Sequence, residues 1–109
     1  MEKLVAYKRM PVWNKDTMPE AVQRKHNTKV GTWGKITVLK GTLKFIELTE
    51  DGEVLAEHFF EAGADNPMAQ PQAWHRVEAA TEDVEWYLEF YCKAEDYFPK
   101  KYNTNPVHS

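Results

Sequence analysis

Between residues 84 and 92 the chain alternates without a break. Val84, Trp86, Leu88, Phe90 and Cys92 fall on one side, and Glu85, Tyr87, Glu89 and Tyr91 on the other. A period of two held over so long a run predicts a β-strand with one face turned inward. Residues 34–40 and 42–48 read as two more strands, with Gly41 as their junction or a bulge between them. Thr49-Glu50-Asp51-Gly52-Glu53 follows. Asp-Gly between β-rich runs predicts a hairpin, with residues 54–60 returning as the partner strand. The acidic cluster of Glu50, Asp51 and Glu53 then reads as a solvated hairpin tip rather than a catalytic carboxylate set.

The rest of the chain is more broken. Residues 61–72 carry Gly63, Asn66-Pro67 and Pro71 and read as a loop with one short strand. Residues 75–79 predict a short strand, and Thr81-Glu82-Asp83 a turn. Residues 94–98 suit one helical turn stopped by Pro99, and residues 100–109 a polar tail. Residues 4–13 read as extended. Residues 17–25 stay open between two forms: Thr17 with Pro19 and Glu20 suits a helix start, while Val22, Arg24 and His26 would alternate in a strand. Seven or eight short strands predict an all-β sandwich or barrel.

Composition sharpens this picture. Aromatic residues reach 13% in 109 residues, which suits pleated, half-buried surfaces. The length fits a single domain, residues 1–109, and is too short for a two-domain enzyme or a nucleotide-dependent methyltransferase domain. A net charge of −3 leaves no electrostatic footprint for nucleic acid. Cys92 is the lone cysteine, which excludes an internal disulfide and a cysteine-based zinc cluster. The first residues, closed by Lys8-Arg9, do not resemble a signal peptide, and no run is long enough to span a membrane as a helix. The expectation is a soluble cytoplasmic protein with no nucleic-acid or membrane partner.

Familiar catalytic signatures are missing. No glycine-rich phosphate loop and no Gly-x-Ser-x-Gly elbow is present, and the one serine is Ser109. Cys92 on an inward strand face reads as an inert thiol. Histidine remains, as His26, His58, His75 and His108, and imidazole serves both metal binding and acid–base work near neutral pH. His58, in a hairpin strand, reads as a surface or packing residue. Trp13, Trp33 and Trp86 read as core; Trp74, beside His75, reads equally as core or pocket lining.

Pro71-Gln72-Ala73-Trp74-His75-Arg76-Val77-Glu78-Ala79 resembles the second signature of the cupins, a proline turn feeding a strand that opens with histidine. Val38-Leu39-Lys40-Gly41-Thr42-Leu43 resembles the end of their first signature. The match is partial. Ala73 stands in the region of the usual glycine, Ala79 replaces the usual asparagine, and of the usual His-x-His and Glu only His26 has a coordinating side chain.

A wider resemblance covers the chain. The runs Pro11-Val12-Trp13-Asn14-Lys15, Lys25-His26-Asn27-Thr28-Lys29-Val30-Gly31-Thr32-Trp33-Gly34-Lys35, Gln72-Ala73-Trp74-His75-Arg76-Val77-Glu78-Ala79, Phe90-Tyr91-Cys92-Lys93 and Lys100-Lys101-Tyr102-Asn103 resemble the TehB N-terminal and YeaR-like family of small cupin-like domains. The resemblance implies a jelly-roll, double-stranded β-helix barrel with a small pocket, and a link to tellurite resistance. In longer family members a methyltransferase domain using S-adenosylmethionine follows; neither that activity nor that cofactor is expected here. The resemblance also implies a metal set of His26, His75 and His108 for a divalent ion such as Zn, Ni or Fe.

Trp74, Arg76 and Glu78 are candidates for a ligand pocket. Arg76 would attract an oxyanion or else stand solvated. Glu78 would support the metal, although strict alternation points it away from His75. Three functions stay open: a metal-binding module for a small molecule or oxyanion in a stress response, a small metal-dependent enzyme, or a metal-free interaction module. A homodimer built on edge strands is expected in each case.

Overall fold

The computed structural model describes residues 3–97 and the backbone of Val107 and His108. In chain order its elements are β1 (Leu4–Arg9), β2 (Trp13–Asn14), a single helical turn α1 (Glu20–Gln23), β3 (Asn27–Thr28), β4 (Trp33–Lys40), β5 (Thr42–Leu48), β6 (Val54–Glu61), β7 (His75–Ala79), β8 (Glu85–Lys93), a 3-10 turn (Ala94–Asp96) and β9 (Val107–His108). The chain is therefore β-rich with almost no helix, as the alternation predicts. No helix among the described residues is long and apolar enough to cross a membrane.

One sheet is built on β8. It pairs antiparallel with β4 along one edge and with β1 and β2 along the other. The second sheet has β5 in the middle, flanked by β6 and β7, again antiparallel. β3 and β9 form a separate two-stranded ladder. Apolar side chains from both sheets meet in one core: Ile36 and Val38 of β4, Leu43 and Phe45 of β5, Phe60 of β6, Val77 of β7 and Trp86 of β8. Trp13 closes edge-on against Trp86, with ring centroids 5.2 Å apart, and Phe45 stacks on Phe60 at 5.0 Å. Burying each such side chain stabilises the fold by about 1.5–3 kcal/mol before entropy is counted.

Gly41 is the corner between the sheets. Its φ of +69° is left-handed, and a Cβ there would lie 2.3 Å from Thr81 Oγ1 and 3.1 Å from the Val84 Cα. Only glycine meets both conditions without strain, so the chain leaves one sheet and enters the other across a single residue. The expected hairpin at Asp51-Gly52 forms: Gly52 has φ +91°, and its N–H donates to the Thr49 carbonyl at 2.9 Å.

Two expectations change. The open stretch at 17–25 gives only the turn at Glu20–Gln23, entered from an extended Pro19 and left through an extended Arg24. Thr17 does not cap it; its hydroxyl accepts the Asn14 N–H instead. The 61–72 loop holds no strand, only a bridge between Ala69 and Gly34. Phe98, Pro99 and most of the tail at 100–109 lie outside the described residues.

A buried histidine pair and a mouth

His26 and His75 come together through the backbone. The His26 N–H donates to the His75 carbonyl at 3.0 Å, and the His75 N–H returns to the His26 carbonyl at 2.9 Å. This reciprocal pair joins the segment ahead of β3 to the first residue of β7. It brings the rings edge to face, with centroids 4.4 Å apart and planes at 84°. Both residues are buried.

The two rings differ in their partners. His26 Nδ1 lies 2.8 Å from the Arg24 carbonyl. A carbonyl only accepts, so Nδ1 carries the proton and Nε2 keeps its lone pair. His75 is 5% exposed, and its Nδ1 has no hydrogen-bond partner among the described residues. Burial first, and the neighbouring His26 second, hold His75 far below the ordinary histidine range, at about 3. The Ala73 backbone pulls the other way but gives Nδ1 no hydrogen bond of proper geometry. Burial also lowers His26, against the pull of the Arg24 carbonyl. Near neutral pH both rings are uncharged, the form in which imidazole binds metal.

Two cavities meet at His75. The inner one, about 30 Å³, lies in the core beside His26, Thr28, Phe45, Val77 and Trp86. Trp86 is 1% exposed, and its indole N–H also has no partner among the described residues. The outer one, about 150 Å³, is a mouth lined by Phe45, Glu47, His58, Met68, Gln70 and Trp74 as well as His75.

The predicted residues separate. His26 and His75 are brought together. The backbone of His108 stands opposite Asn27, one residue from His26; its side chain lies outside the described residues. Trp74 lines the mouth, with Lys25 Nζ 4.9 Å from the centre of its ring. Arg76 and Glu78 line neither cavity. They alternate away from His75 on β7, as Glu78 was expected to, and pair with each other. That contact, with the charge of Arg76 and Lys44, lowers the Glu78 carboxyl. Among the described residues no three His, Cys, Asp or Glu side chains already stand close enough to hold an ion.

Sequence reasoning missed the Glu47–His58 pair, whose Oε2 and Nε2 lie 2.5 Å apart. It also treated Trp86 as core alone. Glu47 continues the inward face that Leu43 and Phe45 begin on β5, and that alternation was the available signal.

Fold and site together define a class: a small β-rich domain with a histidine-lined interior. The chain belongs to the TehB-like domain family, whose profile matches residues 8–88. It is 63% identical over 106 residues to the probable S-adenosyl-L-methionine-dependent methyltransferase TehB of Haemophilus influenzae, covering 97% of this chain and 37% of that protein. It is 27% identical over 90 residues to the uncharacterized protein YeaR of Escherichia coli K12, covering 78% of this chain and 75% of YeaR. The crystal structure of Haemophilus influenzae TehB matches with a TM-score of 0.87 at 64% identity, over 96% of this chain and 37% of that one. A crystal structure of an Escherichia coli K12 protein matches with a TM-score of 0.74 at 26% identity, over 81% of this chain and 89% of that one. The chain thus spans little more than a third of the length of TehB.

Proposed function

We propose that this TehB-like domain binds a divalent transition-metal ion, and through it a small molecule or oxyanion, at the buried histidines. The observation that carries the reading is His75 Nδ1, a buried ring nitrogen without a partner among the described residues, on an uncharged imidazole. Leaving such an atom unsatisfied costs about 1–3 kcal/mol, a cost that coordination would remove. His26, with Nε2 free of its backbone contact, supports a second donor, and His108 is proposed as the third. Zn, Ni or Fe suits an imidazole set. A bound ion would supply Lewis-acid character to an oxygen ligand. The unpartnered Trp86 N–H on the same inner cavity, which can only donate, suits such an oxygen.

The same proposal covers the finer reading of the fold as a cupin-like jelly roll, which the two facing sheets and the single-residue corner at Gly41 support. It gives this chain a binding role within a tellurite-resistance-related family; methyl transfer by this stretch alone is not part of it. Calorimetric titration with Zn or Ni, joined to elemental analysis of untagged protein, tests the reading. Binding near one ion per chain, lost in His75→Asn, is the expected result. Wild-type protein that neither retains nor takes up metal would end it.

A further inference from the structure

Exposed apolar side chains are not spread evenly over the molecule. Val12, Val30, Leu39 and Tyr97 stand singly on separate segments, which is ordinary for a protein surface. Val54, Leu55 and Phe59 share one strand, β6. That strand is also the edge of its sheet: the order is β6-β5-β7, and among the described residues no strand pairs with its far side. The Ala62 N–H donates to the Gly41 carbonyl at 3.1 Å, and the register runs on through Phe60–Leu43, His58–Phe45 and Ala56–Glu47. Ladder bonds alternate along an antiparallel pair, so these residues bond to β5 and the N–H and C=O of Glu57, Phe59 and Glu61 turn outwards. The register then skips Leu55 between Ala56 and Val54, so Leu55 has no residue opposite it on β5. Leu55 and Phe59 are 67% and 61% exposed, while Phe60 between Phe59 and Glu61 is buried. The strand holds neither proline nor lysine, two of the usual devices that keep an edge from pairing.

We infer that β6 pairs antiparallel with β6 of a second copy of this chain, about a two-fold axis through Glu57, so that both three-stranded sheets become one continuous sheet. The residues of the strand select this occupant and this register. When both inner faces stay on one side, outward residues oppose outward residues, and the axis must fall on a residue. On His58 it would set Phe59 against Glu57 and Leu55 against Glu61. On Phe59 it would set Glu57 against Glu61 twice. On Glu57 it sets Phe59 of each copy against Leu55 of the partner subunit, apolar on apolar on both sides of the axis. The one like-charged contact, Glu57 on Glu57, is offset within each copy by Lys44, whose Nζ lies 2.5 Å from Glu57 Oε1 and 5.9 Å from the centre of the Phe59 ring. A second copy thus brings the one strand whose apolar and charged positions match this edge, and the contact is self-complementary as a two-fold interface requires. It makes no use of the buried histidines and does not depend on their holding an ion.

Sedimentation equilibrium on wild type, Phe59→Glu and Leu39→Glu tests the surface, and oxidative cross-linking of Glu57→Cys and Glu61→Cys tests the register. All four side chains are exposed, so the variants are expected to fold, which circular dichroism checks. Wild type and Leu39→Glu are expected to dimerise alike, and Phe59→Glu to raise the dissociation constant at least about tenfold. At the axis the paired Cα atoms stand ~5.5 Å apart, within disulfide reach, so Glu57→Cys is expected to cross-link to itself. The Glu61 positions lie more than ~20 Å apart, so Glu61→Cys is expected not to. Wild type that stays monomeric at high concentration would overturn the inference and leave this edge to a strand of another protein. A dimer as tight in Phe59→Glu as in wild type would place the interface elsewhere and overturn it too. Cross-linking at Glu61→Cys but not at Glu57→Cys would overturn the register.

Discussion

His26 and His75, far apart along the chain, exchange both of their backbone hydrogen bonds and set their rings edge to face at 4.4 Å. The contact closes the interior of the domain and places two uncharged imidazoles side by side where water is largely excluded.

Acid should therefore weaken the fold early. Both rings bind a proton less readily when folded than when unfolded. For His75 that contribution is complete above about pH 6.5 and declines as the pH falls towards 3, by up to ~1.4 kcal/mol per pH unit, and His26 adds a loss of the same sign. Denaturant midpoints measured between pH 7.5 and 5 should fall in wild type. In His75→Asn the slope should be visibly shallower, and an unchanged slope would show that burial of this ring does not govern acid stability.

The corner at Gly41 should tolerate no side chain. Gly41→Ala combines a left-handed φ with a Cβ pressed on Thr81, Asp83 and the Val84 backbone. The expected loss is about 2 kcal/mol or more. Thermal or urea unfolding reads it directly, and a loss below ~0.5 kcal/mol would mean the corner relaxes freely.

Gln72 should behave in the opposite way. It is the one described non-glycine residue with a positive φ, 62°, and its N–H is held by the Thr28 carbonyl at 3.0 Å. Gln72→Gly keeps that bond and relieves the left-handed strain. After the greater freedom of glycine in the unfolded chain is subtracted, a net gain of roughly 0.5 kcal/mol is expected. A stability measurement showing a loss would place the importance of Gln72 in its side chain.

Cys92 should be silent in the native protein. It is fully buried, and burial, aided by Asp96, raises its thiol. Under native conditions a thiol reagent should label it only on the timescale of unfolding, and in denaturant at once. Rapid native labelling would show that the β8 end opens locally.

Much of the framework was legible in the sequence because it rests on local rules. The alternation of Trp86, Leu88, Phe90 and Cys92 fixes which face of β8 is inward, and Asp51-Gly52 fixes the hairpin. Gly41 marked the break between β4 and β5, although only the structure shows it as a corner between sheets. His26 and His75 could be nominated by residue type and family likeness, but their contact depends on how two distant segments dock. Glu47 and His58 were less legible still. Their meeting depends on a diagonal across β5 and β6, set by a hairpin register that slips between Glu47 and Leu48. Residues 17–25 were ambiguous because neither helix nor strand wins there: tertiary contacts use Met18 and Val22 as core plugs and leave only the single helical turn Glu20–Gln23.

His75 forms a wall common to the inner cavity and the mouth. An imidazole has only two nitrogens, pointing in different directions within the plane of one rigid ring. Rotating the ring to suit an occupant on one side changes what it presents to the other. The two compartments consequently share one ring, and its side-chain torsions set which nitrogen each of them meets.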